Sequence, residues 1–212
     1  TVIIPPPPLI RLCQDSPQET RKRIRHLIGA SDKDFVLIYW GYIYPGKGVE
    51  TLLRAFRLVS RKDPSVRLVL VGGKLEITDR PQHCGDYFEM VRRLPEVLGI
   101  AERVLWTGGF RWDEDTGSRY LHAGDACVLP FDCGVTLNNS SLAAACAHGL
   151  PVISTELSKG RDEGLEHGRN IYLCPPRVAE TLAESISLIR EDGHLRERLR
   201  AGARDLARKW YR

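Results

Sequence analysis

No two of the six cysteines (Cys13, Cys84, Cys127, Cys133, Cys146, Cys174) are spaced C-x-x-C, and no Cys/His pair has zinc-ligand spacing. That excludes a dithiol redox motif and a structural zinc site, and such cysteine usage fits a reducing cytosol. Cys127 and Cys146 lie in apolar runs and read as small core residues. No apolar run approaches the roughly 20 residues of a membrane span. The opening "TVIIPPPPLIRL" does not read as a signal peptide. It starts inside an apolar, strand-like run without an initiator Met, as an interior stretch of a longer chain would. Strong charge is also absent. The formal net charge is +4 over 212 residues, too little to imply a nucleic-acid partner. The most basic stretch, at the C-terminal end, is interrupted by Glu191, Asp192, Glu197 and Asp205 and reads as the solvated face of a helix. No internal repeat or low-complexity linker divides the chain, apart from four prolines at 5–8, a stiff connector.

What is present is an alternation of short apolar runs and helical periodicity. "FVLIYW", "VRLVLV", "RVLWTGG", "DACVLP", "PVIST" and "IYLC" read as strands, preceded by "VII" at 2–4. Their continuous apolar character predicts burial on both faces. Between them lie helical segments. The first has Ser16 as N-cap, Pro17 at the first helical position and Glu19 completing a capping box. Another, "YFEMVRRLPEVLG", is expected to be bent or interrupted by Pro95. Two helices, 178–190 and 193–211, close the chain. The order predicts an α/β fold: a single Rossmann-like, doubly wound parallel sheet with helices on both faces. In such sheets ligands bind beyond the carboxyl ends of the strands, which directs attention to the loops after Trp40, Val71, Trp106, Pro130 and Thr155.

The first of these loops contains G-x-x-x-x-G-K-G, from Gly41 to Gly48. A triphosphate-binding loop would carry Ser or Thr after the lysine to hold Mg²⁺. Gly48 stands there instead, and no apolar strand ends in a metal-binding Asp, since Asp125 begins its strand. What remains is Lys47 among mobile backbone near a helix start, suited to a diphosphate neutralised without a metal. A surface lysine on a plain turn is the alternative. The loop "FDCGVTLNNSS" leads into a helix of small residues, Ala143 to Ala147, with N-cap types at Asn138, Asn139 and Ser140. Free amides there form a second anion site, although tight helix–sheet packing would select the same alanines. Gly134 gives this loop a flexible turn, and Asp132 is its single carboxylate, a candidate for contact with a sugar hydroxyl. His148 is expected to complement its helix dipole as a cation, and His122 to be structural.

Taken together, "GYIYPGKGVETLLRAFRLV", "VRLVLVGG", "LGIAERVLWTGGF", "AGDACVLPF" and "AHGLPVISTELSKGRDEGLEHGRNIYLCPP" resemble, in order, the C-terminal, donor-binding domain of GT-B glycosyltransferases of the retaining, family-four type. The resemblance covers nearly the whole chain. It implies one domain over 1–212, with 1–15 as leading strand and proline linker, and a separate N-terminal acceptor domain. It also implies a nucleotide-sugar donor, UDP- or GDP-linked, with no further cofactor and no metal. Lys47 matches the family lysine that contacts the diphosphate, with Gly46, Gly48, Tyr42, Ser140 and Ser141 around it. Gly72, Gly73, Gly108, Gly109 and Phe110 match the nucleobase region. Asp132, Gly134, Val135 and Thr136 match the donor-sugar loop. Two departures stand out. Tyr42 occupies the place of a phosphate-binding arginine, and Thr136 and Ala144 occupy those of paired glutamates. A related variant with a D-G-x-S loop is similar to "DCGVTLNNSSL".

The resemblance therefore implies the donor half of a hexosyltransferase-like enzyme that moves a sugar to an acceptor hydroxyl. These residues alone are expected to show negligible transfer. The longer protein is expected to be cytoplasmic, with peripheral membrane contact. The alternative is a non-catalytic nucleotide- or partner-binding module on the same fold.

Overall fold

The computed structural model describes residues 5–75, 81–111, 113–160 and 162–211. The strand expected at 2–4 lies outside them. Six strands form one sheet: β1 (Phe35–Trp40), β2 (Val66–Val71), β3 (Val104–Gly108), β4 (Ala126–Leu129), β5 (Val152–Thr155) and β6 (Tyr172–Cys174). Every pairing is parallel, and the order is β3-β2-β1-β4-β5-β6. The helices are α1 (Pro17–Leu27), α2 (Val49–Lys62), α3 (Pro81–Leu98), α4 (Thr116–Ala123), α5 (Ser140–Ala147), α6 (Ala179–Glu191) and α7 (Gly193–Trp210).

The unbroken apolar strands have their reason in this architecture. Side chains alternate across a strand. In β1, Phe35, Leu37 and Tyr39 therefore enter one core with Leu52 and Phe56 of α2 and Ile186 of α6. Val36 and Ile38 enter the opposite core with Leu121 of α4 and Leu142 of α5. Both faces are covered, so a polar side chain there needs an internal partner, as the hydroxyls of Ser154 and Thr155 in β5 have in the Leu129 and Phe131 carbonyls. Helix α7 contributes to both layers, through Leu195 and Leu199 to the first and Ala203 and Leu206 to the second.

Three local expectations are corrected. Helix α3 is continuous through Pro95 and starts at Pro81, six residues before the Tyr87 expected to open it. Ser16 stands at the N-cap of α1 but its hydroxyl caps nothing, so the Ser16/Glu19 capping box does not form. His148 is a neutral helix cap: burial holds its pKa down at about 4, and its Nδ1 lies 2.7 Å from the Ala144 carbonyl.

Asp125 sits at the amino-terminal edge of β4. Its carboxylate accepts from the Val36 amide at 2.7 Å and from Arg25 at 3.1 Å, tying α1 to the end of the sheet remote from the loops considered next. That position explains why this acid begins its strand.

Candidate functional site

The chain runs outward from β1 through β2 to β3, then returns to β4 on the other side of β1. The reversal creates a switch point between β1 and β4, where the following loops diverge and leave a crevice. The two loops touch through the Asp132 amide, which donates to the Gly46 carbonyl at 3.0 Å. Gly48, at φ +66, is the N-cap of α2, and a Cβ there would lie 1.9 Å from the Pro130 carbonyl oxygen. Glycine at 48 is thus the condition for the two loops to cross. Gly41 does the same on the cleft side: a Cβ there would lie 2.7 Å from Ser141 Oγ, so the exit of β1 abuts the start of α5.

A cleft of about 760 Å³ opens above this crossing. Its floor includes Gly41, Lys47, Ser140 and Ser141, and its β2 side is formed by Val71, Gly72 and Gly73. Gly109, Phe110, Arg111 and Glu114 close the β3 side, and Tyr42 and Tyr44 stand along the β1 loop. Leu9 and Ile10 of the linker form the remaining wall with Trp40.

Lys47 is half-buried. Its Nζ lies 5.0 Å from the centre of the Tyr44 ring and 4.7 Å from that of Phe131. Among the described residues no carboxylate pairs with it, and burial holds its pKa below the ordinary lysine value of 10.5. The nearby carboxylate of Asp132 is engaged elsewhere, with Oδ2 at 3.3 Å from Arg177 Nε. Asp132 Oδ1 is buried without a hydrogen-bond partner. The start of α5 is also electropositive. Asn139 holds the N-cap position, but its side chain does not cap the helix. Its Oδ1 accepts from the Thr136 amide at 2.7 Å, leaving the first amides of α5 to whatever enters the cleft.

The residues matched to a donor-sugar loop lie apart from this cleft. Gly134 (φ +84) packs against the carbonyl of Glu156, where a Cβ would approach to 2.3 Å. The Val135 amide donates to the Thr155 carbonyl at 3.0 Å. Val135 lines a second cavity of about 450 Å³, together with Thr155, Glu156, Asp162, Glu166 and His167. Neither Asp132 nor Thr136 is among the residues lining the first cleft, and Ala144 is fully buried. Gly72 and Gly73 line the cleft, yet their lack of a side chain also serves the backbone. A Cβ on Gly72 would lie 2.0 Å from the Gly41 carbonyl oxygen, and one on Gly73 2.8 Å from the Gly109 amide nitrogen. Gly46, Gly48 and Gly108 support the loops without lining the cleft.

Sequence reasoning missed the aromatic bed under Lys47 and the fit of Trp40. The signal for the latter is Gly117 inside α4: a Cβ there would lie 2.5 Å from the Trp40 ring, and a glycine within a helix asks for such a reason. Among the described residues no group of three or more His, Cys, Asp or Glu is gathered to hold a metal. No described helix is long and apolar enough to cross a membrane.

Comparison with known proteins agrees with this architecture. The sequence model described as Glycosyl transferases group 1 matches residues 34–192. The chain is similar to the GDP-mannose-dependent alpha-(1-6)-phosphatidylinositol monomannoside mannosyltransferase of Mycobacterium tuberculosis, with 29% identity over 150 residues, covering 68% of this chain and 35% of that protein. It therefore spans about a third of the length of that relative. In fold it is similar to HepE of Anabaena, solved in complex with UDP (TM-score 0.76, 22% identity, 93% of this chain and 50% of the other). It is also similar to the C-terminal domain of the glycosyl transferase group 1 protein LpcC of Francisella tularensis (TM-score 0.71, 19% identity, 96% of both chains).

Proposed function

The chain belongs to the Glycosyl transferases group 1 family, and we propose that it is the donor-binding domain of a retaining glycosyltransferase. In this reading a nucleoside diphosphate sugar enters the cleft, and a second domain brings the acceptor hydroxyl and any general base. The observation that carries it is the pairing of Lys47, an ammonium without a carboxylate partner among the described residues, with the uncapped start of α5 across the β1/β4 switch point. Both supply positive potential, and among the described residues no carboxylate pairs with either.

Their role follows from electrostatics. Transfer of the sugar leaves a nucleoside diphosphate that gains negative charge as the glycosidic bond breaks. Lys47 and the amides at Ser140 and Ser141 are held ready for that charge before the reaction begins, so stabilising it costs little reorganisation. The aromatic rings around Lys47 limit its hydration and strengthen its pull on a phosphate. Gly46 and Gly48 position the lysine through the loop crossing. The domain alone binds donor but does not transfer sugar, because the acceptor machinery belongs to the second domain.

One observation favours the non-catalytic alternative: Thr136 and Ala144 carry no carboxylate, and neither side chain lines the cleft. Lys47→Ala in the longer protein separates the two. Loss of sugar transfer together with loss of nucleotide binding supports the enzyme. A full-length protein with no transfer from any nucleotide sugar supports the binding module. A thermal-shift panel of UDP, GDP, ADP and dTDP with their sugars tests the ligand class directly.

A further inference from the structure

The β3 side of the cleft carries two oppositely charged side chains, Arg111 and Glu114. Their partners are unequal. Arg111 grips Asp113 with two parallel bonds, Nε to Oδ1 at 3.0 Å and Nη2 to Oδ2 at 2.8 Å. Its contact with Glu114 is long, 3.6 Å from Nε to Oε1. The guanidinium is thus committed to Asp113, and Glu114, half exposed, is among the described residues the carboxylate that lines the cleft and is offered to a ligand. Beside it Phe110, packed on Tyr120 at 5.7 Å between ring centres, and Leu75 supply apolar surface.

A flat heterocycle that meets a carboxylate is selected by its pattern of donors. Guanine carries two adjacent donors on one edge, the ring N1–H and the 2-amino group, and a carboxylate accepts from both. Uracil and thymine offer a single N–H flanked by two carbonyl oxygens that the carboxylate repels. Adenine and cytosine each place an amino group beside a ring nitrogen lone pair, which faces the second carboxylate oxygen unfavourably. With the diphosphate at Lys47 and Ser140, at the β1/β4 switch point, the open cleft runs towards β2 and β3. The base is therefore carried to Phe110 and Glu114.

We infer that Glu114 determines nucleobase specificity and selects guanine, so that the donor is a GDP-linked sugar. This rests on the reading of the cleft as a nucleotide-sugar site. A pair of hydrogen bonds to one base edge discriminates by about tenfold or more, and a site built to pair with donors rejects ligands that lack them.

The test is calorimetric titration of GDP, UDP, ADP and dTDP into the wild-type protein and into Glu114→Gln. Glutamine keeps the size but replaces one acceptor by a donor. The expected result is GDP binding about tenfold or more tighter than UDP in the wild type, with the preference reduced to near parity in Glu114→Gln. UDP affinity in that variant is retained or raised, because the repulsion of the uracil carbonyls is relieved, and a value no lower than wild type reports that the fold and the diphosphate site are intact. Equal or tighter UDP binding by the wild type, or a GDP preference that survives Glu114→Gln, overturns the guanine assignment and leaves the cleft reading standing. Failure of all four nucleotides to bind overturns the cleft reading itself.

Discussion

The ammonium of Lys47 lies 4.7 Å from the centre of the Phe131 ring, and this contact joins the loop after β1 to the loop after β4. The ring face attracts the cation, a contact worth about 0.5–2 kcal/mol, but it does not replace the hydration lost on burial. Asp132, one residue from Phe131, could have neutralised the lysine. Its carboxylate is paired with Arg177 instead. In the proposed reading the site keeps this positive charge for an anion from outside.

Lys47→Met should therefore separate stability from binding. Removing a half-buried ammonium that has no carboxylate partner among the described residues leaves the unfolding midpoint unchanged or raised. Affinity for a nucleoside diphosphate falls by about 1.5–3 kcal/mol, the range for a hydrogen bond to a charged group. Thermal unfolding and titration on the same preparation read both. A large loss of stability without a loss of affinity would assign Lys47 to the fold.

The same lysine sets an alkaline limit on binding. Its folded-state pKa is lowered by burial from the ordinary 10.5. Between those two values the unfolded chain holds a proton that the fold has lost, so the contribution of Lys47 to stability rises with pH. Diphosphate affinity moves the opposite way. It falls as pH rises through the folded value, before 10.5 is reached. Lys47→Arg should remove this limit, because a guanidinium stays charged. Titration across the alkaline range checks both directions.

Gly48 and Gly46 predict different costs. Both have positive φ, +66 and +95. A Cβ at 46 meets nothing within 4 Å, whereas one at 48 meets the Pro130 carbonyl oxygen at 1.9 Å. Gly46→Ala should cost about 1 kcal/mol from backbone strain alone. Gly48→Ala should cost more and weaken nucleotide binding as well, because the loop that positions Lys47 must move. Denaturant midpoints for the two variants give the comparison, and equal costs would contradict it.

Much of this was legible in the sequence, and the losses have physical causes. The strands could be read because burial on both faces leaves unbroken apolar runs, as in Phe35 to Trp40. The start of α3 could not, since "PQHCGDYF" carries Gly85 and no regular apolar stripe. Pro95 does not interrupt α3, because a long helix can run through the loss of one backbone donor. Lys47 was visible from its glycines. Tyr44 and Phe131 around it were not, because the switch point brings their loops together in space from distant parts of the chain. Asn139 illustrates a local ambiguity: it occupies the N-cap position, yet its side chain turns back to the Thr136 amide. Short polar side chains choose between such partners by tertiary context.

His148 predicts an acid-sensitive fold. Its pKa is about 4, against an ordinary 6.5, mainly because burial disfavours the charged ring. The unfolded chain therefore binds a proton between pH 6.5 and 4 that the folded chain does not, and stability falls as pH drops through that window. The loss from this residue is about 3 kcal/mol on the scale of 1.36 kcal/mol per pKa unit. His148→Gln should flatten the slope over that window. Chemical denaturation at a series of pH values checks it, and an unchanged slope would remove His148 from the account.

Asp132→Asn tests whether that carboxylate meets the donor. It points to Arg177 and does not line the first cleft. Nucleoside diphosphate affinity should stay within about 0.5 kcal/mol of wild type. Loss of the partly exposed ion pair should cost up to about 1 kcal/mol of stability. A large drop in affinity for the nucleotide sugar, with affinity for the bare diphosphate retained, would assign Asp132 to the sugar.

The central claim is that the cleft binds a nucleotide through its diphosphate, at Lys47 and the start of α5. Its most direct test is calorimetric titration of guanosine, GMP and GDP into the wild-type protein and Lys47→Ala, with a chelator present throughout. The account predicts affinity rising from nucleoside to diphosphate in the wild type, and most of that rise lost in Lys47→Ala. Equal affinity for all three ligands, or an unchanged rise in the variant, would contradict it.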